Sequence, residues 1–386
     1  MFIIRNDEAI HIIHYQDPET KPAMNLKSLV TTIAASTVLA LLLGAPASPL
    51  RADDSEEKSA KPAKLFESSD TLTVNITSQW QDLERNEKYQ GPYPATLKYT
   101  NDNGEQVELP LTVERRGVKR QETCDFPPIK LRFEKEDVKG TMFRGQKSLK
   151  MVTHCDRATR YQQYYMIEML TYRMYNLITD YSFRVRELSV TYTDSENGRT
   201  DDGRFAFLIE DDCDVAKRLD LKKLKIPNIG PSRLEKSLTS EFVLFQYMIG
   251  NVDWAALSGP DPEECCHNVK LIAPSPYEKG DIVFPIPYDF DSSGIVNAPY
   301  AAPPAGLPIR RVTQRLYRGY CVHNETMPAA REKFLANEAA IMDVLNQPVG
   351  LNSSTRKRAE KYLKEFFETI RDDKDWNKQI MTKCRK

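Results

Sequence analysis

The sequence lacks the short motifs that identify several enzyme classes. It contains no G-x-S-x-G segment, no Walker phosphate loop and no G-x-G-x-x-G run, which argues against nucleophile-elbow hydrolases and P-loop nucleotide binding. Histidines number five, and neither they nor the seven cysteines show a CxxC pair or a regular zinc-ligand spacing. Basic residues total 54 and acidic residues 55, for a net charge of −1. This balance gives no support to nucleic-acid binding.

Long hydrophobic runs are also scarce, and the one clear example lies near the N-terminus. Residues 29–43 are apolar and uncharged, follow Met24 and Lys27, and precede the small residues Ala45-Pro46-Ala47. The run is short for a membrane span, and its flanks are typical of a secretory signal peptide. We therefore predict that Met24 is the true start and that the protein is exported, to a periplasm or the cell exterior. An uncleaved N-terminal anchor is the alternative; no transmembrane span is expected in the mature chain.

All seven cysteines follow this signal-like segment. An oxidising compartment lets cysteines pair, so disulfides are expected. The odd count leaves at least one cysteine outside any intramolecular pair. Cys265 and Cys266 are adjacent, and we expect them not to bond to each other.

The chain is predicted to have four parts. Residues 1–52 form an N-terminal extension with the signal peptide, and residues 53–65 form a flexible linker. Residues 66–215 form a β-rich N-lobe, and residues 216–386 form a helical C-lobe. Alternating or β-branched segments predict strands in the first lobe, interrupted by one helix at 160–178. In the second lobe a helix begins after Ser232, expected to be its N-cap, and a β pair covers 267–273 and 281–290. Two amphipathic helices, about 328–346 and 353–380, complete the chain.

Three segments in the second half carry acids and amides suited to metal chemistry: "GNVDWAAL", "HNVKLI" and "PYDFDSSG". They supply Asp253, Asn268, Asp289 and Asp291. The β pair is expected to bring Asn268 and Asp289 together at one end of a hairpin. Carboxylate and amide oxygens are hard ligands that suit Mg²⁺ or Mn²⁺, and an additional Asp that accepts a hydroxyl proton completes the set that phosphoryl transfer requires.

This order of motifs, "GNVDW … N … PYDFDSSG", resembles the CotH-like atypical protein kinases and, more distantly, the HipA-type kinases. The resemblance runs from about residue 105 to 345. It implies an α+β, bilobal kinase-like fold with a β-rich N-lobe and a mainly helical C-lobe containing a β-hairpin. It also implies ATP with Mg²⁺ or Mn²⁺ as cofactors and Ser or Thr hydroxyls of a protein as acceptors.

The resemblance also implies roles for single residues. Asp253 matches the catalytic Asp, Asn268 and Asp289 match the metal ligands, and Asp291 assists them. Upstream, the residues implied to bind ATP are Lys150 paired with Glu168, Lys130 as a competitor of Lys150, Arg115 and Arg116 in the "RRG" turn, and Glu210 on the hinge strand.

The chain departs from the family in one respect. In the family the catalytic Asp and the metal-binding Asn lie close in sequence, whereas fifteen positions separate Asp253 from Asn268 here. A catalytically inactive, kinase-like envelope protein is therefore the alternative, serving as an interaction module or binding a metal such as Ca²⁺. Nucleotidyl transfer onto protein from the same cleft is a third possibility.

Overall fold

The computed structural model describes residues 61–117, 119–260 and 263–386. The predicted start, the signal segment, most of the predicted linker and the boundary at residue 52 lie outside these residues. From residue 61 onwards the described residues belong to one compact unit. Leu65, placed at the end of the predicted linker, is fully buried in a short 3₁₀ turn.

Seven strands of the N-terminal half close into a barrel. They are β1 (Leu72–Ser78), β2 (Tyr93–Thr100), β3 (Gln106–Arg115), β4 (Ile129–Arg132), β5 (Ser148–Val152), β6 (Val185–Asp194) and β7 (Thr200–Ile209). The order around the barrel is β1-β2-β3-β4-β5-β7-β6. All neighbours are antiparallel except β1 and β6, which pair in parallel with Leu72 opposite Leu188. Alternating apolar side chains from these strands fill the interior and form one hydrophobic core.

The predicted bilobal kinase-like fold is therefore wrong, although the α+β content is as expected. The segments read as N-lobe strands do form strands, but β1 pairs with both β2 and β6 and so closes the sheet on itself. Alternation of apolar residues predicts a strand and its buried face, and it does not specify which distant strand becomes the neighbour.

Helices and a small sheet form the remainder. The helices are α1 (Trp80–Arg85), α2 (Lys119–Thr123), α3 (Gln162–Asn176), α4 (Asp212–Arg218), α5 (Lys236–Ile249), α6 (Met327–Ala336), α7 (Glu338–Asp343), α8 (Ser353–Arg371) and α9 (Asp373–Gln379). Strands β8 (Lys222–Leu224), β9 (Val269–Ala273) and β10 (Phe284–Pro287) make an antiparallel sheet in the order β10-β9-β8. A second, larger hydrophobic core joins α3 and α5 to this sheet and to the C-terminal helices.

Helix α5 begins later than its sequence predicts. Ser232 lies in a 3₁₀ turn, and Glu235 is the N-cap, accepting a hydrogen bond from the backbone N–H of Leu238 at 2.5 Å. The helix ends at Gly250, whose φ of 66° is the left-handed conformation that terminates many helices. Gly250 therefore fixes the direction in which the chain leaves α5 toward Asn251 and Asp253.

The predicted disulfides are present. Cys124 pairs with Cys155 and Cys321 with Cys384, and the remaining thiol, Cys213, is exposed. The expectation for Cys265 and Cys266 is wrong, because a disulfide joins the two residues to each other. Three disulfides are compatible with a secreted protein. In the part of the chain that the structure describes, no helix combines the length and apolar character needed to cross a bilayer.

Candidate functional site

The hairpin of β9 and β10 places Asn268 and Asp289 side by side. Val269 of β9 pairs with Pro287 of β10, and the backbone N–H of Tyr288 donates to the Asn268 carbonyl at 3.1 Å. Asn268, just before β9, and Asp289, just after β10, therefore lie at the same end of the hairpin. Both have left-handed backbones, with φ of 53° and 63°. Asn and Asp are the non-glycine residues that adopt this conformation most readily. The side chains predicted to bind metal are thus neighbours.

Asp289 is held from behind by α3. Its backbone N–H donates to the Tyr172 hydroxyl at 2.8 Å, and Tyr172 is 1% exposed. This contact ties the left-handed turn at Asp289 to the 15-residue helix α3. A non-glycine residue held in a sparsely populated conformation by a buried partner is a common feature of functional sites.

Asp253 reaches the same place from the end of α5. The side chain of Asn251 accepts the N–H of Asp253 at 2.9 Å, and the Asn268 side-chain nitrogen donates to the Asp253 carbonyl at 2.8 Å. His267 Nε2 lies 2.9 Å from Asp253 Oδ1. Asp253 and Asn268 therefore remain in contact despite the fifteen positions that separate them, and an isolated bridge between Ala255 and His267 joins the two ends of the intervening segment.

Two arginines line the same cavity as these acids. Arg116 and Arg120 line a cavity of about 530 Å³ together with Asp253, His267, Asn268, Asp289 and Asp291. We call this cavity the acidic cleft. The nearest Arg120 guanidinium nitrogen lies 3.7 Å from Glu168 and 3.9 Å from Asp291. Both arginines come from the short segment after β3, whereas Asn268 and Asp289 lie at the end of the hairpin of β9 and β10.

The charged groups beneath the cleft are incompletely hydrogen-bonded. Both carboxylate oxygens of Glu168 and two guanidinium nitrogens of Arg120 are buried without a hydrogen-bond partner. Buried polar atoms are nearly always partnered in native proteins. The orphaned atoms are the kind that a bound ion, phosphate or water would satisfy.

Burial and crowding of like charges shift the protonation equilibria of the acids. Burial, reinforced by the carboxylate of Asp291, raises the pKa of Asp289. Burial also raises the pKa of Glu168 well above its ordinary range. A cation placed among these oxygens would favour their ionised forms, so this electrostatic arrangement is suited to binding one.

The acids do not form a closed cage by themselves. In the described ranges, the one group of three carboxylate, histidine or cysteine ligand atoms lying within 4.8 Å of one another is Asp211, Asp212 and Cys213, outside the cleft. A cation in the cleft would need the amide oxygen of Asn268 and oxygens of a bound phosphate to complete its coordination. Mg²⁺ is commonly held in this way, by one or two carboxylates, waters and substrate phosphates.

The residues predicted to bind ATP are more dispersed. Lys150 on β5 lies over the ring of Tyr288, with its Nζ 4.3 Å from the ring centre. Burial and the nearby Arg116 lower the pKa of Lys150 to about 8. Glu168 forms an ion pair with Arg120, with a nitrogen–oxygen distance of 3.7 Å, in place of the expected pair with Lys150.

Of the residues predicted to bind ATP, Arg116 lines the cleft, whereas Lys130, Glu210 and Arg115, like Lys150 and Glu168, lie outside its lining. Lys130 is directly opposite Lys150 on the neighbouring strand and therefore on the same face of the barrel sheet. Glu210 forms a buried ion pair with Arg218 at 3.0 Å and accepts the N–H of Arg184, which fixes the end of β7. Arg115 is buried and donates to the carbonyl of Leu83.

Sequence reasoning missed Arg120 and Tyr172. Arg120 falls in "VERRGVKR", which alternates like a strand, whereas the strand ends at Arg115 and Arg120 lies in α2. The Gly117 in this segment is the signal that the strand stops there, because its φ of 79° favours glycine. Tyr172 belongs to a stripe of aromatic and Met residues that reads as ordinary core.

Comparison with known proteins provides no independent assignment: no family model matches the chain, and neither a curated protein nor a solved structure shows significant similarity.

Proposed function

We propose that this protein is an exported, metal-dependent phosphotransferase that moves the terminal phosphate of ATP to Ser or Thr hydroxyls of a secreted or envelope protein. The observation that carries the proposal is the acidic cleft, a single cavity lined by Asp253, Asn268 and Asp289 together with Arg116 and Arg120. The proposal rests on the chemistry of the site and not on a kinase-like fold, because unrelated folds can support the same chemistry.

The donor set fits Mg²⁺ or Mn²⁺ with bound phosphates. Asp289, Asp291 and the oxygen of Asn268 would hold the ion, which when bound would neutralise charge on the phosphoryl group being transferred. Arg116 and Arg120 would orient phosphate oxygens through their guanidinium N–H groups, some of which lack partners within the protein. Lys150, close enough to Asp289 to feel its charge, would add a further positive charge behind them.

Asp253 is the group that would receive the acceptor's proton. It lies on the cavity wall and is one-third exposed, so an incoming hydroxyl can approach its carboxylate. Its backbone is fixed by Asn251 and Asn268. A carboxylate positioned beside a hydroxyl orients it for attack and takes its proton as the new P–O bond forms.

One observation favours the inactive, metal-binding alternative. Asp253 Oδ1 is engaged by His267 Nε2 at 2.9 Å, so an acceptor hydroxyl must displace the imidazole or use the other carboxylate oxygen. If that displacement does not occur, the cleft binds a cation without transferring phosphate.

The test combines binding and transfer measurements on the purified, oxidised chain. With ATP about 100-fold above its Kd and Mg²⁺ or Mn²⁺ present, linkage predicts a rise in the unfolding temperature of roughly 5 °C. Incubation with terminally labelled ATP and dephosphorylated casein should place label on the chain itself or on casein. Asp253→Asn and Asp289→Asn should each reduce incorporation by about 10²-fold or more. The matched control is Asp343→Asn, an exposed aspartate on α7.

The outcomes separate the alternatives. Phosphate incorporation that survives both substitutions contradicts the proposal. Mass spectrometry that finds an added nucleotide instead of a phosphate indicates nucleotidyl transfer. Metal binding with no effect of ATP on the unfolding temperature identifies the inactive metal-binding module.

A further inference from the structure

A second cavity, of about 320 Å³, opens at the end of the barrel where β1 and β6 end and β7 begins. We call it the barrel-end pocket. Its lining includes Trp80 and Glu84 of α1, Phe126 just before β4, Tyr192 of β6 and Asp201 of β7. It shares no lining residue with the acidic cleft. Mouths of β-barrels are frequent ligand sites, and cavities of roughly 300–1,000 Å³ hold small ligands.

The floor of the barrel-end pocket is aromatic. The rings of Trp80 and Tyr192 meet edge to face at 5.1 Å, and Phe126 lies 4.8 Å from Tyr192. Beneath them His154 stacks on Phe126 at 4.6 Å. These rings pack against one another and give the pocket a rigid apolar base.

Two polar atoms in this base lack a partner. The hydroxyl of Tyr192 and Nδ1 of His154 are buried without a hydrogen bond, and the two residues are 3% and 2% exposed. A buried hydroxyl and a buried ring nitrogen without partners are rare in native proteins. Because Tyr192 also lines the pocket, its unsatisfied hydroxyl points to a ligand that brings a hydrogen-bonding group to the floor.

The rim is charged but internally balanced. Its lining holds three acids and three arginines. Glu84 pairs with Arg157 at 3.1 Å and Asp201 with Arg204 at 2.7 Å.

Asp194 accepts the backbone N–H groups of Gln81 and Asn197, and Arg199 is exposed. With three acids and three arginines, the lining carries no net charge that would select a charged ligand. Carboxylates only accept hydrogen bonds and guanidinium groups only donate them. A neutral ligand must therefore offer a donor to the carboxylate and an acceptor to the neighbouring guanidinium group.

We propose that the barrel-end pocket binds an uncharged saccharide ring. Adjacent sugar hydroxyls each donate and accept, so they match a rim on which a carboxylate stands beside a guanidinium. The C–H face of the ring fits the aromatic base, whose π faces carry partial negative charge. One hydroxyl at the floor supplies the missing partner of Tyr192. The site is independent of the proposed phosphotransfer and would persist if that activity were absent.

The test is saturation-transfer NMR on the full, oxidised chain with methyl glucoside, methyl galactoside, methyl mannoside and N-acetylglucosamine. Glucuronate serves as the charged counterpart. Saturation of the aromatic protein resonances should transfer to the ring protons of at least one neutral sugar. Tyr192→Phe removes only the hydroxyl and should weaken that binding about fivefold, and Asp201→Asn about tenfold. Tyr175→Phe is the matched control, since its hydroxyl is also buried without a partner but lies outside the pocket lining.

Selective weakening by Tyr192→Phe and Asp201→Asn, with Tyr175→Phe at wild-type affinity, supports the proposal. Absence of transfer to every neutral sugar overturns it, as does equal or stronger binding of glucuronate. Equal affinities for Tyr192→Phe and Tyr175→Phe overturn it too. Unfolding temperatures of all variants are measured in parallel; if Tyr192→Phe does not fold, Asp201→Asn, which alters a partly exposed side chain, decides the outcome.

Discussion

Protonation of one buried histidine should make this protein lose stability in mild acid. His154 is 2% exposed and stacks on Phe126. Burial, assisted by the positive charge of Arg204, lowers the pKa of its ring from the ordinary 6.5 to about 4. In the unfolded chain the ring takes up a proton below about pH 6.5, whereas the native ring remains neutral until about pH 4. The unfolded state therefore binds more protons in this window, and stability falls as pH decreases through it.

The size of the effect follows from the two pKa values. The full difference corresponds to about 3 kcal/mol, at about 1.36 kcal/mol for each pH unit between 6.5 and 4. About 2 kcal/mol of this should be lost between pH 7.5 and pH 5. Below pH 4 both states are protonated and the contribution of His154 becomes constant.

Urea unfolding of the oxidised protein at a series of pH values measures this loss. Carboxylates also titrate in the same range, so the informative quantity is the difference in unfolding free energy between wild type and His154→Gln at each pH. That difference should shrink by about 2 kcal/mol from pH 7.5 to pH 5. A difference that stays constant with pH would refute the reasoning.

His267→Gln supplies a control with the opposite sign. The hydrogen bond that the His267 ring donates to the Asp253 carboxylate raises the pKa of His267, so this ring contributes stability at low pH that is lost as pH rises through its native pKa. The difference between wild type and His267→Gln should therefore grow as pH falls.

The cysteines yield the remaining predictions. Replacing both Cys321 and Cys384 by Ser removes a disulfide between residues 63 positions apart, and chain entropy predicts a loss of about 4 kcal/mol in the free energy of unfolding; a loss below about 1 kcal/mol in urea titrations contradicts this. Titration of the unfolded, unreduced chain with a thiol reagent should find one equivalent, mapped by peptide mass to Cys213. In the native protein this thiol should react slowly at neutral pH, because partial desolvation by its neighbours and the charge of Asp211 raise its pKa to about 11; reaction as fast as that of a free thiol would contradict the shift.

The individual strands and helices are largely readable from the sequence, because each depends on local periodicity. Strands β1 to β7 fall within or overlap the segments whose alternation predicts them, and α3 lies within its predicted range. Barrel closure is different, because it requires Leu72 to pair with Leu188, 116 positions away. The alternation of apolar residues in either strand does not indicate which distant strand will pair with it. The predicted architecture was therefore wrong, although the predicted strands and helices were largely right.

The acidic cleft likewise has one part that could be predicted from the sequence and one part that could not. Asn268 and Asp289 flank two adjacent strands, so their proximity follows from a simple hairpin. Arg120 comes from a segment that reads as a continuous strand, and its approach to Glu168 depends on how α2 packs against α3. Pairing of long charged side chains across elements depends on tertiary packing, which is why the expected Lys150–Glu168 pair was replaced by one with Arg120. The catalytic and metal roles themselves stay predictions.

The parallel ladder between β1 and β6 has a mechanical consequence. Strand β1 is the first of the barrel in sequence and is hydrogen-bonded on both sides, to β2 and to β6. A pull applied upstream of Leu72 along the strand would load both ladders in shear, so many backbone hydrogen bonds would have to break together. The described chain therefore enters the barrel, after residues 61–71, through a strand that is held by two ladders at once.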